Sequence, residues 1–197
     1  SIVELISSGG LGGNIIMSTL GVLSIFAIYI LIERYSTIKK ASKDDDSFLK
    51  SIKNFVEQKD MQAAKTLCQN TDNPVSRMIE KGIDRIDKPM TDISAAIENQ
   101  GKLEVYKMEN NLANLATIAG AAPMIGFLGT VIGMIVAFHE MASAGGNIDV
   151  EMLSKGIYTA MVTTVGGLVV GIIAYISYNF LVSKVDKVIF LLEARTT

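Results

Sequence analysis

The sequence has no tryptophan, one cysteine, one histidine and three prolines in 197 residues. A single thiol, Cys68, can form no internal disulfide, so no covalent staple holds the fold. It reads as a packed thiol. One histidine leaves no paired imidazoles for a metal, and no phosphate loop, metal-ligand spacing or catalytic triad stands in the chain. The sequence therefore offers no catalytic residue, no metal site and no cofactor motif. A net charge of −2 gives no reason to expect nucleic acid as a partner.

Charge is the scarcest property of all. Charged residues make up only 19% of the chain and hydrophobic ones 49%. Three stretches carry no charge: Leu5–Ile32 (28 residues), Asn110–Phe138 (29) and Gly156–Ser183 (28). A helix rises about 1.5 Å per residue, so 28 residues reach roughly 42 Å. The hydrocarbon core of a bilayer is about 30 Å thick. Each run is long enough to span, and three such runs in so short a chain exclude a soluble helical core. The expected fold is an all-α membrane protein with three transmembrane helices. Spans two and three extend into a small cytoplasmic helical domain. The first run is too long for a cleaved signal peptide of the usual form, and no basic residue precedes it.

Lys and Arg set the orientation. Of eighteen, fourteen lie between Glu33 and Glu109; Lys184, Lys187 and Arg195 follow the last run, and only Lys155 lies between runs two and three. Cytoplasmic loops collect Lys and Arg. The division predicted is residues 1–35 for the periplasmic N-terminus and span one, and 36–109 for a cytoplasmic domain. Span two takes 110–140, a periplasmic loop 141–155, span three 156–183 and a cytoplasmic tail 184–197. The loop stretch Ala142–Asn147 is small and turn-prone.

The middle segment balances fourteen basic residues with fourteen acidic ones, which suits a solvated helical layer. Phe48, Leu49, Ile52, Phe55 and Val56 recur at helical spacing. Asp60–Gln69 predicts a second short helix, and Asn73-Pro74 a helix start with Asn as cap. Ile79, Ile83 and Ile86 continue that helix until Lys88-Pro89 ends it. From Thr91 to His139 one uninterrupted helix is expected, half in water and half in lipid. Asp44-Asp45-Asp46 reads as a solvated linker or cap. About 77 residues of short helices are too few for a separate enzyme domain.

Placing residues at 100° per step gives spans two and three each a face of small side chains. On span two it holds Ala119, Ala122, Gly126, Gly129, Thr130, Gly133 and Ala137; bulky Met124, Phe127, Leu128, Val131, Ile132, Ile135 and Phe138 lie outside it. On span three it holds Gly156, Ala160, Thr163, Thr164, Gly167, Gly171, Ala174 and Tyr178. Small residues let membrane helices approach, and hydroxyls bond across the seam. Two readings stay open. The faces pack span two on span three within one chain, or they line a path or embrace another helix. Two such faces cannot both be satisfied within a monomer, so a closed homo-oligomer is expected. Span one, with Leu20, Val22, Leu23, Ile25, Phe26, Ile28, Ile30 and Leu31 on all sides, reads as lipid-facing. Pro123 lies inside span two and marks a place to bend. His139 ends that span, and an interfacial polar cap is the simpler reading over a proton relay.

Leu115–Met134, with Pro123, Gly126, Gly129, Thr130 and Gly133, resembles the second-span signature of the ExbB/TolQ proteins, relatives of MotA. Gly156–Leu168, with Ala160, Thr164 and Gly167, resembles their third span, and Glu33-Arg34 after span one fits the same pattern. Three spans with the main cytoplasmic segment between the first two is the ExbB/TolQ layout, and not the four-span layout of MotA. The resemblance implies a homopentamer in the bacterial inner membrane around the single-span helices of an ExbD/TolR-type partner. It further implies that proton motive force is used to energise outer-membrane processes, with a TonB/TolA-type protein as a further partner. By resemblance Thr130 and Thr164 belong to the ion path, with Thr163 and Thr159 as further candidates. Many members carry Glu at the position of Thr159, so the resemblance leaves both proton and sodium open as the ion. With no acidic or basic side chain in the runs, the titrating carboxylate is expected from the partner, as an intramembrane Asp. The rival readings are a structural membrane scaffold without ion transport and an intramembrane enzyme. The enzyme needs a nucleophile and a base at depth, and the lone His at a span end argues against it.

Overall fold

The fold is known from a computed structural model, which describes residues 10–41, 46–143 and 150–196. The described residues form seven helices and no strand. They are α1 (Gly10–Ala41), α2 (Asp46–Glu57), α3 (Met61–Asn70), α4 (Pro74–Ile83), α5 (Met90–Glu109), α6 (Leu112–Ser143) and α7 (Val150–Thr196). Among the described residues, three helices are long and apolar enough to cross a membrane. The chain is thus an all-α, multi-pass membrane protein. Asp44 and Asp45 lie outside the described residues, as does the loop stretch beyond Ser143.

The chain divides into two compact units: Ser1–Ile32 with Asn111–Phe180, and Glu33–Asn110 with Leu181–Thr197. In the first, α6 and α7 meet along their small faces. Ala122, Gly126, Gly129 and Ala137 of α6 are buried, as are Ala160, Thr163, Gly167, Gly171 and Ala174 of α7. The bulky residues point away: Met124, Phe127 and Ile135 are 74%, 64% and 63% exposed. In water such a surface would aggregate, whereas lipid tails cover it without cost. Span one departs from expectation. Ile16, Leu20, Ala27 and Ile30 form a buried stripe on α1, while Val22, Ile25, Phe26 and Ile28 stay exposed. Leu20 and Met17 reach Gly166 of α7, whose missing side chain makes room for them. Span one is therefore lipid-facing on one side only.

The second unit follows the rules of water. Phe48, Ile52, Ala64 and Cys68 form a buried cluster, with Phe55, Leu67, Val75 and Ile79 packed against it. Asp60 caps α3, its side chain accepting from the Ala63 amide at 3.0 Å. At the start of α4, Asn73 accepts from the Ser76 amide at 2.6 Å and the Ser76 hydroxyl accepts from the Asn73 amide at 3.5 Å. This is a reciprocal cap, with Pro74 supplying a helical φ in the first turn. Helix α4 ends at Ile83 in a run of turns, so Ile86 lies beyond it. Gly82 lets α5 close in: a Cβ there would stand 2.9 Å from Ile97 Cδ1.

The uninterrupted helix expected from Thr91 to His139 does not exist. Helix α5 stops at Glu109, and α6 begins at Leu112. Asn110 is extended (ψ 139°) and Asn111 has φ +66°. Asparagine is among the few residues that enter this left-handed region readily, so Asn-Asn is a chemically apt breaking point. The break leaves the last carbonyls of α5 short of intrahelical donors. Arg34 meets one of them, its Nη1 donating to the Lys107 carbonyl at 2.7 Å, while the same guanidinium pairs with Glu33.

Candidate functional site: the glycine and threonine seam

The seam between α6 and α7 is built from backbone as much as from side chains. A Cβ on Gly126 would stand 2.7 Å from the Thr163 carbonyl oxygen and 3.0 Å from the Gly167 Cα. A Cβ on Gly167 would meet the Ala122 carbonyl oxygen at 2.5 Å. Gly133 faces Ala160 in the same way, at 2.7 Å from its Cβ, and Gly156 faces Ala137 at 2.5 Å. At one end, a Cβ on Gly171 would strike the Pro123 ring at 2.6 Å and approach the Ala119 carbonyl oxygen at 3.2 Å. Pro123 has no N–H to give that carbonyl four residues back, and its ring crowds the same turn. Gly171 is the residue that leaves space beside both. Helix α6 runs on through Pro123.

Three threonine hydroxyls lie in this seam. Thr163 is 2% exposed; Thr130 and Thr164 are half-buried. The Thr130 and Thr164 hydroxyls bond to each other across the seam. Thr130 also lies 3.2 Å from the Ala160 carbonyl oxygen, and Thr164 lies 3.1 Å from that of Gly126. Thr163 reaches the Ala160 carbonyl at 2.6 Å and the Gly126 carbonyl at 3.2 Å. Each hydroxyl has one hydrogen to donate and two lone pairs. One consistent assignment has Thr163 donating to Ala160, Thr164 to Gly126 and Thr130 to Thr164. The Thr130 oxygen then keeps its acceptor capacity. Thr130 lies eight residues from the end of its uncharged run (138 − 130) and Thr164 eight from the start of its own (164 − 156). The pair thus sits about 12 Å inside each run.

The sequence-derived candidates divide in position. Ala119, Ala122, Gly126, Gly129, Gly133, Ala160, Gly167 and Gly171 come together in the seam with Thr130, Thr163 and Thr164. Thr159 does not join the hydroxyl pair. Its methyl lies 3.7 Å from where a Cβ on Gly13 would be, on the side of α1. The expectation that the two small faces cannot both be satisfied within one chain is overturned. Each fills the other, because glycine against a facing backbone leaves no gap. His139 is exposed at the end of α6. Among the described residues no group of three His, Cys, Asp or Glu stands close enough to hold a metal.

The second unit holds a polar cluster that the sequence did not single out. Glu104 is 2% exposed and accepts from Arg77 Nη2 at 2.7 Å, Gln100 Nε2 at 2.7 Å and Lys107 Nζ at 3.0 Å. Burial works to raise its pKa, but the bonds and charges of Arg77 and Lys107 outweigh it and hold the carboxyl below its usual range. Gln100 and Lys107 at helical spacing were a local hint; Arg77, 27 residues away, was not readable. Burial pushes the Cys68 thiol up to about 11, with Glu80 adding to the shift, so it is an inert packed thiol.

The described residues thus form a multi-pass helical membrane protein with a glycine- and threonine-lined seam built by backbone contact. Residues 70–194 match the MotA/TolQ/ExbB proton channel family, and the chain belongs to that family. It is 27% identical over 194 residues to a putative biopolymer transport protein ExbB homolog of Methanothermobacter thermautotrophicus, covering 98% of this chain and 67% of that one. It is 34% identical over 104 residues to the biopolymer transport protein ExbB of Aquifex aeolicus, covering 52% of this chain and 70% of the relative. The Tol-Pal system protein TolQ of Haemophilus influenzae is 35% identical over 85 residues, or 43% of this chain and 37% of TolQ.

Proposed function

We propose that the chain is the ring-forming subunit of an ion-driven motor in a bacterial inner membrane. It works with a single-span ExbD/TolR-type partner and uses the proton motive force to energise outer-membrane processes, with a TonB/TolA-type protein downstream. Membership of a proton channel family and the names of its ExbB and TolQ relatives support this reading. The observation that carries it is the Thr130–Thr164 hydroxyl pair, set inside two charge-free helices. Hydroxyls orient water or ligate an ion, but a threonine does not titrate near neutral pH. With no acidic or basic side chain in its spans, the chain cannot hold a moving proton there. The titrating group is an Asp of the partner helix, held beside Thr130 and Thr164. A homopentamer provides the enclosed axis for that helix, and the apolar outer surface of the seam helices supports contact with neighbouring copies.

The test is reconstitution in liposomes under a pH gradient, with and without the partner. Flux that needs both chains, and that stops when the partner's intramembrane Asp becomes Asn, is the expected result. Proton flux from this chain alone refutes the reading. The same assay under a sodium gradient distinguishes the ions.

The seam favours one rival. The glycines of the seam stand against the facing helix of the same chain, which is what a scaffold without ion transport requires. Absence of flux with every co-purifying partner present establishes the scaffold instead.

Sidedness follows the Lys and Arg count: N-terminus periplasmic, C-terminus cytoplasmic. Cys68 is 2% exposed and resists labelling from either side, so it cannot report topology. Cysteines placed at exposed Ser143 and Lys88 can. A membrane-impermeant thiol reagent on whole cells should reach the first and miss the second; the reverse overturns the assignment.

A further inference from the structure

Phe190 breaks the rule by which the second unit is built. It is 69% exposed on α7, seven residues beyond Ser183 (190 − 183), where the charge-free run ends. That is about 10 Å further along the helix, outside the hydrocarbon. It shares its face with exposed Lys187 and Asp186, three and four residues before it. Lipid covers the exposed bulk of spans two and three, but an aromatic ring on this charged face meets water.

The same unit holds a cavity of about 550 Å3 between α4, α5 and α7. Met78, Val105, Tyr106, Ile189 and Leu192 form its walls, and its rim carries the Glu98–Lys102 ion pair at 2.6 Å. Gly101 makes room for the floor, since a Cβ there would stand 3.0 Å from Met78 Cε. Phe190 cannot enter this cavity within its own chain. At 100° per residue it points about 100° away from Ile189 and about 160° away from Leu192, the two residues by which α7 closes the cavity. Knob and hole thus lie on different sides of one helix, and only a second copy brings them together. Such a contact is heterologous, and repeated head to tail it closes into a ring.

We infer that Phe190 of each copy seats in the α5–α7 cavity of the next. The inference rests on the homo-oligomer proposed above and gives it a contact outside the membrane. Met78 offers the ring an unbranched thioether that adapts to its shape, and exposed Tyr106 stands at the edge. The charges complement one another: Asp186 and Lys187 flank the knob, and Lys102 and Glu98 rim the hole, with one charge of each sign on either side. An aromatic anchor in an apolar pocket with a polar rim is the usual anatomy of a specific interface.

The test uses the full chain in membranes. Copies carrying Phe190→Cys and copies carrying Val105→Cys are co-expressed and treated with a short bis-maleimide. Cys68 is buried and its thiol held protonated, so it stays out of the reaction. The mixture should give cross-linked dimers, and both cysteines in one chain should give a ladder that stops at the ring size. Either variant alone should give none; a dimer of Phe190→Cys alone means that like surfaces meet and overturns the head-to-tail contact. Native mass spectrometry reads assembly separately. Phe190→Ser should keep its helix content by circular dichroism, since the side chain is exposed, and raise the concentration at which the assembly dissociates about tenfold or more. Ile86→Ser, at an exposed residue of the same unit that does not line the cavity, should leave it unchanged. No change in Phe190→Ser, or an equal loss in Ile86→Ser, overturns the anchor. A ring that persists with no cross-link between the two positions overturns this contact and leaves the homo-oligomer standing, whereas monomers alone from the native chain overturn both. Cross-linking only to a different protein overturns the second copy as occupant.

Discussion

The α6–α7 seam and the α2–α5 layer are built by one chain under two solvents. In the layer, bulky apolar side chains turn inward, caps close the helix ends, and charged groups pair. In the seam the bulk turns outward and glycine faces backbone. Water drives the first arrangement, because burying apolar area is worth about 25 cal/mol per Å2. Lipid offers no such drive, so close backbone contact and hydroxyl bonds hold the second. The layer therefore tolerates a change of shape where side chains can shift. The seam does not, since a carbonyl or a Cα cannot move aside.

The largest effect expected from this difference is at Gly167. Its missing Cβ lies 2.5 Å from the Ala122 carbonyl oxygen and 2.8 Å from the Gly126 Cα. Gly167→Leu should cost about 3 kcal/mol or more and leave the helices apart, seen as loss of a thermal unfolding transition in detergent. Gly21→Ala and Gly120→Ala sharpen the comparison. A Cβ at either meets nothing within 4 Å, so both should be neutral or gain up to about 1 kcal/mol from helix propensity. If Gly167→Leu behaved like them, the seam would not be a backbone contact.

In the second unit the largest effect belongs to Glu104. Glu104→Gln keeps the shape and removes the charge that Arg77 and Lys107 meet. Arg77 is 35% and Lys107 53% exposed at the side chain, so both are partly solvated and the loss should be about 2 kcal/mol, below that of a fully buried pair. The pH dependence has a definite sign. The folded carboxyl titrates below its unfolded value, so its contribution is complete above that value, near 4.5, and is lost as the pH falls through the folded pKa. Acid unfolding of the native chain should carry this loss, and Glu104→Gln should flatten the curve there. A smaller effect, about 1 kcal/mol, is expected for Asn73→Ala, which removes the cap of α4; denaturant midpoints measure it.

What was legible in the sequence was what depends on near neighbours. The charge-free runs, the Asn73-Pro74 start and the direction of the small faces all follow from local spacing. The break at Asn110–Asn111 was missed because the apolar and charged pattern runs across it. Its one signal was the Asn pair, whose short amide side chain tolerates φ +66°. The partner of the small faces was not legible either. Periodicity gives a direction from the helix axis, and cannot say whether the facing surface belongs to the same chain. Span one was misread for a related reason. Protein and lipid both accept Ile16, Leu20 and Ile30, so apolar residues on all sides hide a buried stripe.

The smallest stability effect and the sharpest functional one are expected together, at the threonines. Valine keeps the shape of threonine and removes the hydroxyl. Interhelical hydrogen bonds in membranes are worth about 0.6 kcal/mol on average, so Thr130→Val and Thr164→Val should each unfold almost as the native chain does. The two nevertheless differ from Thr163 in what the hydroxyl can still do. Thr163 is 2% exposed, and both groups within its reach are backbone carbonyls of the seam itself. Thr130 and Thr164 are half-buried and bond to each other. An ion or a carboxylate can be met by that pair, but not by Thr163. In liposomes holding this chain and its partner, flux should fall by an order of magnitude or more in Thr130→Val and Thr164→Val, about the loss of one charge-assisted bond of roughly 1.5–3 kcal/mol. Thr163→Val should leave flux intact, and Thr159→Val should too, since Thr159 stands beside Gly13 and not beside the pair. If flux falls only in Thr163→Val, the path runs through the seam's core and the hydroxyl pair is packing alone.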